Sequence, residues 1–347
     1  MSCTRLRPTL SRHHSRLLPY ANVACLQHKC RYSSIISPAQ ESPLNTWITQ
    51  TLPVTKEHND FLSASKLADL FCTLPTRSHT SQTRAFAPGA SLSPLHTLVF
   101  FYPRSTEDQL GTDKTDREFC PPEPFTRRMW AGGTFRFTHN RTDGSSNGLQ
   151  VGREATARVK IPKVEKKGFE KGSPMVFVHQ NIDYAHKGEE EPLVSEERIH
   201  VYLPREMRAN SRVAREVTGL PKLHYTFSWT PSPTTLFRFS ALTWNGHLIH
   251  LDPEYAQNEE GYPERLVHGP LTALMLVEAL YHEGYSGRID NFVYRARNPT
   301  LVNRRQHLRG AFSLNGDSAI LWAEDDDGVV GMTGTVDLLD PVSSKFS

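Results

Sequence analysis

The chain has 347 residues, 37% apolar and 22% charged, with a formal charge of +3. It is long enough for two domains of about 150 residues each. It contains no apolar run near the ~18 residues of a membrane span. Its small positive charge is concentrated at one end, which argues against a nucleic-acid surface.

Residues 1–40 carry Arg5, Arg7, Arg12, Arg16, Lys29 and Arg31 but no acid; the first acid is Glu41. An Arg- and Ser-rich, acid-free leader reads as a mitochondrial transit peptide, with a processing site near Arg31-Tyr32-Ser33-Ser34. A basic tail without regular structure is the plain alternative. Without those six charges the formal balance becomes negative. Cys3, Cys25 and Cys30 lie in the leader, leaving only Cys72 and Cys120. That is neither a disulfide framework nor a zinc ligand set, so no structural metal is expected. The Asn140-Arg141-Thr142 sequon matters only in a secreted chain, and the terminal Ser-Lys-Phe-Ser is not a peroxisomal address.

Residues 44–74 read as mostly helical, and 59–71 repeats apolar residues at helical spacing until Pro75. Residues 76–93 and 105–124 read as loops on either side of a short apolar run at 98–102. Alternating strands follow at 133–137, 155–161, 175–182 and 197–203. Residues 205–221 lack periodicity and read as a linker. The second half repeats the theme: a strand at 223–229, a polar loop, a helix over 269–283 and strands at 291–296, 307–313, 319–323 and 329–339. The 269–283 helix is apolar almost all round, as for a helix enclosed by a sheet. Helix followed by meander, twice, predicts an α+β fold. The expected organisation is a domain over 44–204, the linker, and a second domain over 222–340.

The chemistry-bearing residues cluster at 239–256, which contains Asn245, His247, His250, Asp252, Tyr255 and Ala256, followed by Val267-His268-Gly269-Pro270. Imidazole titrates near neutrality and suits proton movement. A glycine at a helix N-terminus presents an unpaired N–H to a developing oxyanion and lets substrate approach closely. Pro270 fits the first helical turn. Asp252 before Pro253 suits local turn capping, and His247 and His268 suit either support or hydrogen bonding. The Trp130-Ala131-Gly132-Gly133 segment suits either a tight strand entry or a pocket wall. Lys163, Lys166, Lys167 and Lys171 read as a solvated face or as a contact for a carrier's phosphates. No nucleotide-binding fingerprint or nucleophile elbow stands at a strand-to-helix junction, so no cofactor is implied.

The 239–256 segment resembles the motif of the MaoC-like, (R)-specific enoyl-thioester hydratases and dehydratases, which have the hotdog fold. His250 falls on that family's catalytic histidine, Asp252 on the following aspartate, and Tyr255-Ala256 on its usual tail. Asn245 stands where the family has a catalytic aspartate, and His247-Leu248 replaces its Asn-Pro pair. These departures, with the 124–133 segment, resemble the branch of fungal mitochondrial 3-hydroxyacyl-thioester dehydratases and mesaconyl-C4-CoA hydratases. The resemblance covers residues 44–339. It implies a double hotdog, two long central helices each wrapped by an antiparallel sheet with the sheets joined edge to edge. It implies a hydro-lyase acting on acyl-carrier-protein or CoA thioesters, with His250, Asn245 and Gly269 as the catalytic set, His247, Asp252 and His268 in support, and a homodimer as one form of assembly. A C4 dicarboxylyl-CoA hydratase and a non-catalytic acyl-binding hotdog are the alternatives.

Overall fold

A computed structural model describes residues 38–77, 86–139, 148–207 and 214–342. The leader up to residue 37, the sequon and the last five residues lie outside the described residues. Among the described residues, no helix is long and apolar enough to cross a membrane.

Helix α1 (Pro38–Thr51) is followed by β1 (Thr55–Phe61), α2 (Ala64–Phe71), β2 (Phe125–Phe137), β3 (Glu154–Lys167), β4 (Met175–His186) and β5 (Val194–Pro204). The second half runs β6 (Tyr225–Trp229), α3 (Pro233–Leu242), α4 (Gly269–His282), β7 (Ile289–Ala296), β8 (Gln306–Phe312), β9 (Ser318–Asp325) and β10 (Val330–Leu338). The ten strands form one sheet in the order β1-β3-β4-β5-β2-β7-β10-β9-β8-β6. Every pairing is antiparallel. Each half contributes five contiguous strands, and the halves meet edge to edge at β2 and β7, where Gly133 faces Tyr294 and Phe135 faces Phe292.

Helix α4 has the surroundings that its apolar sequence requires. Leu271, Leu274, Met275 and Leu280 are fully buried, and the helix lies against β2, β8, β9 and β10. Pro270 starts it without loss, because a first-turn N–H has no partner within the helix. The first half departs from expectation. The helix expected over 59–74 is instead the end of β1 and the eight-residue α2, which begins at the Ser63 cap. Thr55–Phe61 is polar at nearly every position, so it carries no apolar alternation. It is an edge strand held by its ladder to β3, from Thr55 opposite Lys160 to Phe61 opposite Glu154. Charged, short edges of this kind resist further pairing. Helix α1 buries only Leu44 and Thr51 among its described side chains, so α4 alone is enclosed on all sides.

Glu278 on α4 is a buried carboxylate. It accepts from Arg77 Nε at 2.6 Å, Arg77 Nη2 at 2.5 Å and Thr76 Oγ1 at 3.1 Å, and it lies 2.9 Å from His96 Nε2. Burial by itself raises a carboxyl pKa, yet the hydrogen bonds and charges of His96 and Arg77 hold this one down to about 2. The cluster fastens the chain on both sides of the 78–85 segment to the central helix.

Candidate active site

The 239–256 segment begins on α3, capped by Ser232 with Pro233 in its first turn. Sequence reading did not anticipate this helix. It ends at Thr243, and Trp244 adopts a left-handed conformation (φ 52°) that reverses the chain into the histidine loop. The Asn245 side-chain oxygen accepts from the His247 N–H at 3.1 Å, an Asx turn that shapes the loop. With that oxygen occupied, the amide NH2 is the part of Asn245 left to donate outward.

A helical turn, Leu248–Leu251, carries His250. Its Nδ1 lies 2.8 Å from the Leu266 carbonyl. A carbonyl only accepts, so Nδ1 carries the proton and Nε2 of the neutral ring keeps a free lone pair. The ring stacks on His268, with centroids 3.6 Å apart and planes 22° apart, and meets the His247 ring edge-on at 5.4 Å. His268 Nε2 is 2.9 Å from Ser240 Oγ, which ties the ring before α4 back to α3. Burial pushes the His250 pKa down to about 4; the Leu266 carbonyl opposes that shift and the nearby Arg128 charge adds to it. His247 and His268 are pushed down in the same direction, chiefly by burial. The three imidazoles are therefore neutral at physiological pH.

Gly269 opens α4, and its N–H has no carbonyl four residues earlier within the helix. A Cβ on Gly269 would sit 3.0 Å from Trp130 Cβ and 3.1 Å from its Cγ. The indole of Trp130 is fixed by donating from Nε1 to Tyr294 Oη at 3.0 Å. The Trp130-Ala131-Gly132-Gly133 segment lies inside β2, with a register shift between Trp130 and Gly132, and lines the cavity wall. Asn245, His247, His250 and Gly269 border that same cavity of about 1450 Å3. It reaches into the hollow of the first half, past Leu98, Phe101, Phe119 and Val159.

Asp252 lies apart from this group in its contacts. Its Oδ1 accepts from the N–H groups of Glu254 (2.9 Å) and Tyr255 (3.2 Å), which caps the next turn. Two neighbours of the site escaped sequence reading. Asp113, from the irregular loop of the first half, has Oδ2 3.6 Å from His247 Nε2, and its carbonyl accepts from the Leu248 N–H at 3.0 Å. Its only local signal is the turn in which Thr115 donates to its carboxylate; its approach to His247 is tertiary. Arg127, on β2, forms a buried ion pair with Glu260. In the lysine cluster, Lys163 and Lys167 both pair with Glu165, and Lys166 pairs with Glu41.

A hotdog sheet around a central helix, with a neutral histidine and a helix N-terminus bordering one cavity, agrees with the class of MaoC-like hydratases and dehydratases. The fold agrees with solved structures. A MaoC-like dehydratase from Phytophthora capsici superposes with a TM-score of 0.60 at 14% identity, covering 85% of this chain and 99% of that one. The Mesaconyl-C(4)-CoA hydratase of Chloroflexus aurantiacus is 37% identical over 251 residues, 71% of this chain and 84% of that protein. The mitochondrial hydroxyacyl-thioester dehydratase type 2 of Schizosaccharomyces pombe is 29% identical over 287 residues, 76% of this chain and 91% of that protein. The sequence profile of hydroxyacyl-thioester dehydratase type 2 matches residues 95–302. The chain belongs to the hydroxyacyl-thioester dehydratase type 2 family, and it is an enzyme of the hydratase–dehydratase kind.

Proposed function

We propose that this chain interconverts trans-2-enoyl and (R)-3-hydroxyacyl thioesters, with His250 as the proton carrier. The observation that carries the reading is the fixed tautomer of His250, whose free Nε2 belongs to a ring that borders the same cavity as Asn245 and Gly269. In hydration, the Asn245 NH2 holds a water oxygen. His250 Nε2 takes one proton from that water as the oxygen bonds to the β-carbon. The electron pair of the double bond moves onto the thioester oxygen, where the Gly269 N–H and the positive end of α4 stabilise it. The imidazolium then returns the proton to the α-carbon, so a single imidazole serves both transfers and no catalytic carboxylate is needed at position 245. Dehydration is the reverse. His247 and His268 hold the His250 ring in place, Asp113 orients His247, and Asp252 shapes the turn.

The acid-free leader and the name of the yeast relative support a mitochondrial setting, with acyl-carrier-protein intermediates of organellar fatty-acid synthesis as substrates. A second reading, a hydratase of a short dicarboxylic acyl-CoA, is favoured by the 37% identity to the Chloroflexus protein and by a cation on the cavity wall. Crotonyl-CoA hydration by the wild-type chain and by His250→Ala tests the activity. A 3-hydroxyacyl carrier protein and its CoA counterpart, assayed side by side, test the carrier.

A further inference from the structure

The two readings of the substrate differ in whether the acyl group carries a second carboxylate, and one side chain bears on that difference. The guanidiniums nearest the site on β2 and β5 are unequal. Arg127 is neutralised by Glu260. Arg198 is neutralised by the buried Glu196, at 2.7 Å and 3.0 Å. Arg128 lines the same cavity and, among the described residues, has no carboxylate within ion-pair distance.

Its placement follows from the register. Arg128 faces Tyr202 and Trp130 faces His200, so Arg128 and Trp130 share one face of β2. Trp130 packs against Gly269, whose N–H marks the expected position of the thioester oxygen. Two residues along a strand is about 6.6 Å, comparable to the span of a four-carbon acyl group from its thioester oxygen to a carboxylate on the β-carbon. The Arg128 charge also reaches histidines of the same cavity: burial is the main cause that holds down the pKa of His250, His247 and His200, and the Arg128 charge adds to it. A partly enclosed guanidinium without a counter-charge loses hydration and regains it through an anion. Its planar fork matches a carboxylate in bidentate fashion.

We propose that Arg128 is a receptor for a carboxylate on the acyl group, so that the site favours enoyl thioesters bearing a carboxylate on the β-carbon over those ending in a methyl group. This inference rests on the hydratase reading, and its test separates the two. Crotonyl-CoA and the CoA monothioester of fumarate form a matched pair in which a methyl replaces a carboxylate. Both are assayed for hydration with wild-type chain, Arg128→Met and Arg128→Lys. Wild type is expected to show at least about a tenfold higher kcat/KM for the fumaryl thioester. Arg128→Met should lower the fumaryl-to-crotonyl ratio about a hundredfold, and Arg128→Lys should restore part of it, in line with the discrimination a site makes against an analogue lacking its polar partner. If wild type hydrates neither substrate, the hydratase reading fails. If it hydrates crotonyl-CoA at least as well as the fumaryl thioester, the inference fails and the hydratase reading stands. The same holds if Arg128→Met lowers both by the same factor, which would assign Arg128 to the shared carrier phosphates or to the fold. The wild-type comparison decides the matter even if Arg128→Met does not fold.

Discussion

His250 is held on one side by the Leu266 carbonyl and on its face by His268, so replacing it removes one ring at the cavity without emptying the core. On the proposed reading, His250→Ala abolishes crotonyl-CoA hydration while circular dichroism is unchanged. A loss within tenfold corresponds to only about 1.4 kcal/mol, too little for an essential proton carrier, and would move His247 to the front. Asn245→Ala should cost less than His250→Ala, because water loses its orientation but the base remains. Asn245→Asp places the carboxylate that the resemblance implies in the cavity that His250 borders and should shift the pH dependence of kcat/KM. That dependence has a definite sign. His250 titrates at about 4 in the folded chain against the ordinary 6.5. The base stays neutral, so the acidic limb of kcat/KM should lie near pH 4 and not near 6.5. Between those values the unfolded chain binds a proton that the folded chain does not. Stability therefore falls as pH drops from 6.5 towards 4, and His247 and His268 act in the same direction. Denaturant midpoints at pH 7 and pH 5 check this; equal midpoints would contradict neutral burial. At this scale the grouping of Asn245, His250 and Gly269 around one cavity was legible, since they stand close together in the chain. Asp113 was not, because nothing local ties it to a loop more than a hundred residues away.

At the scale of elements, α4 was readable because an all-round apolar helix has few places to go. The strands of both meanders were readable where their side chains alternate, whereas β2 begins at Phe125, well before the alternation at 133–137. β1 carries no apolar period because it is an exposed edge strand, while Leu67, Leu70 and Phe71 after it do follow helical spacing. α3 has a legible start signal in Ser232, Pro233 and Thr235, but it is short and runs directly into the polar loop. Glu278 is the one acid of the otherwise apolar α4, and it anchors the helix through Arg77 and His96. Glu278→Ala leaves His96 buried and Arg77 facing the space without a counter-charge. Removing one partner of a buried pair costs about 3–5 kcal/mol, so the urea midpoint should fall strongly with an unchanged slope. A loss below about 1 kcal/mol would mean that the cluster does not fasten Arg77 and His96 to α4.

At the scale of the whole molecule, the leader and the seam make separate predictions. On the transit-peptide reading, protein purified from mitochondria starts after about Tyr32, and N-terminal sequencing that returns Met1 would remove that reading. The seam between the halves concerns the site directly, because Asp113, Arg128 and Trp130 come from the first half while Asn245, His250 and Gly269 come from the second. The sequence showed two meanders but not which strands join them, since edge-to-edge pairing leaves no local periodicity. β2 and β7 make that join, and Gly133 lies on it opposite Tyr294. A Cβ on Gly133 would collide with the Glu197 carbonyl and sit 2.8 Å from Tyr294 Oη. That hydroxyl holds the Trp130 indole, and Trp130 in turn packs on Gly269. Neither the β5 backbone nor a fully enclosed tyrosine can yield cheaply. Gly133→Ala should therefore lower the melting temperature and also reduce kcat for crotonyl-CoA, although residue 133 supplies no reacting group. Tyr294→Phe removes only the hydroxyl, and should reduce kcat with a smaller change in stability. If Gly133→Ala destabilises the chain while kcat at a permissive temperature stays at the wild-type value, the seam is structural only, and the Gly269 N–H is held by α4 without help from the first half.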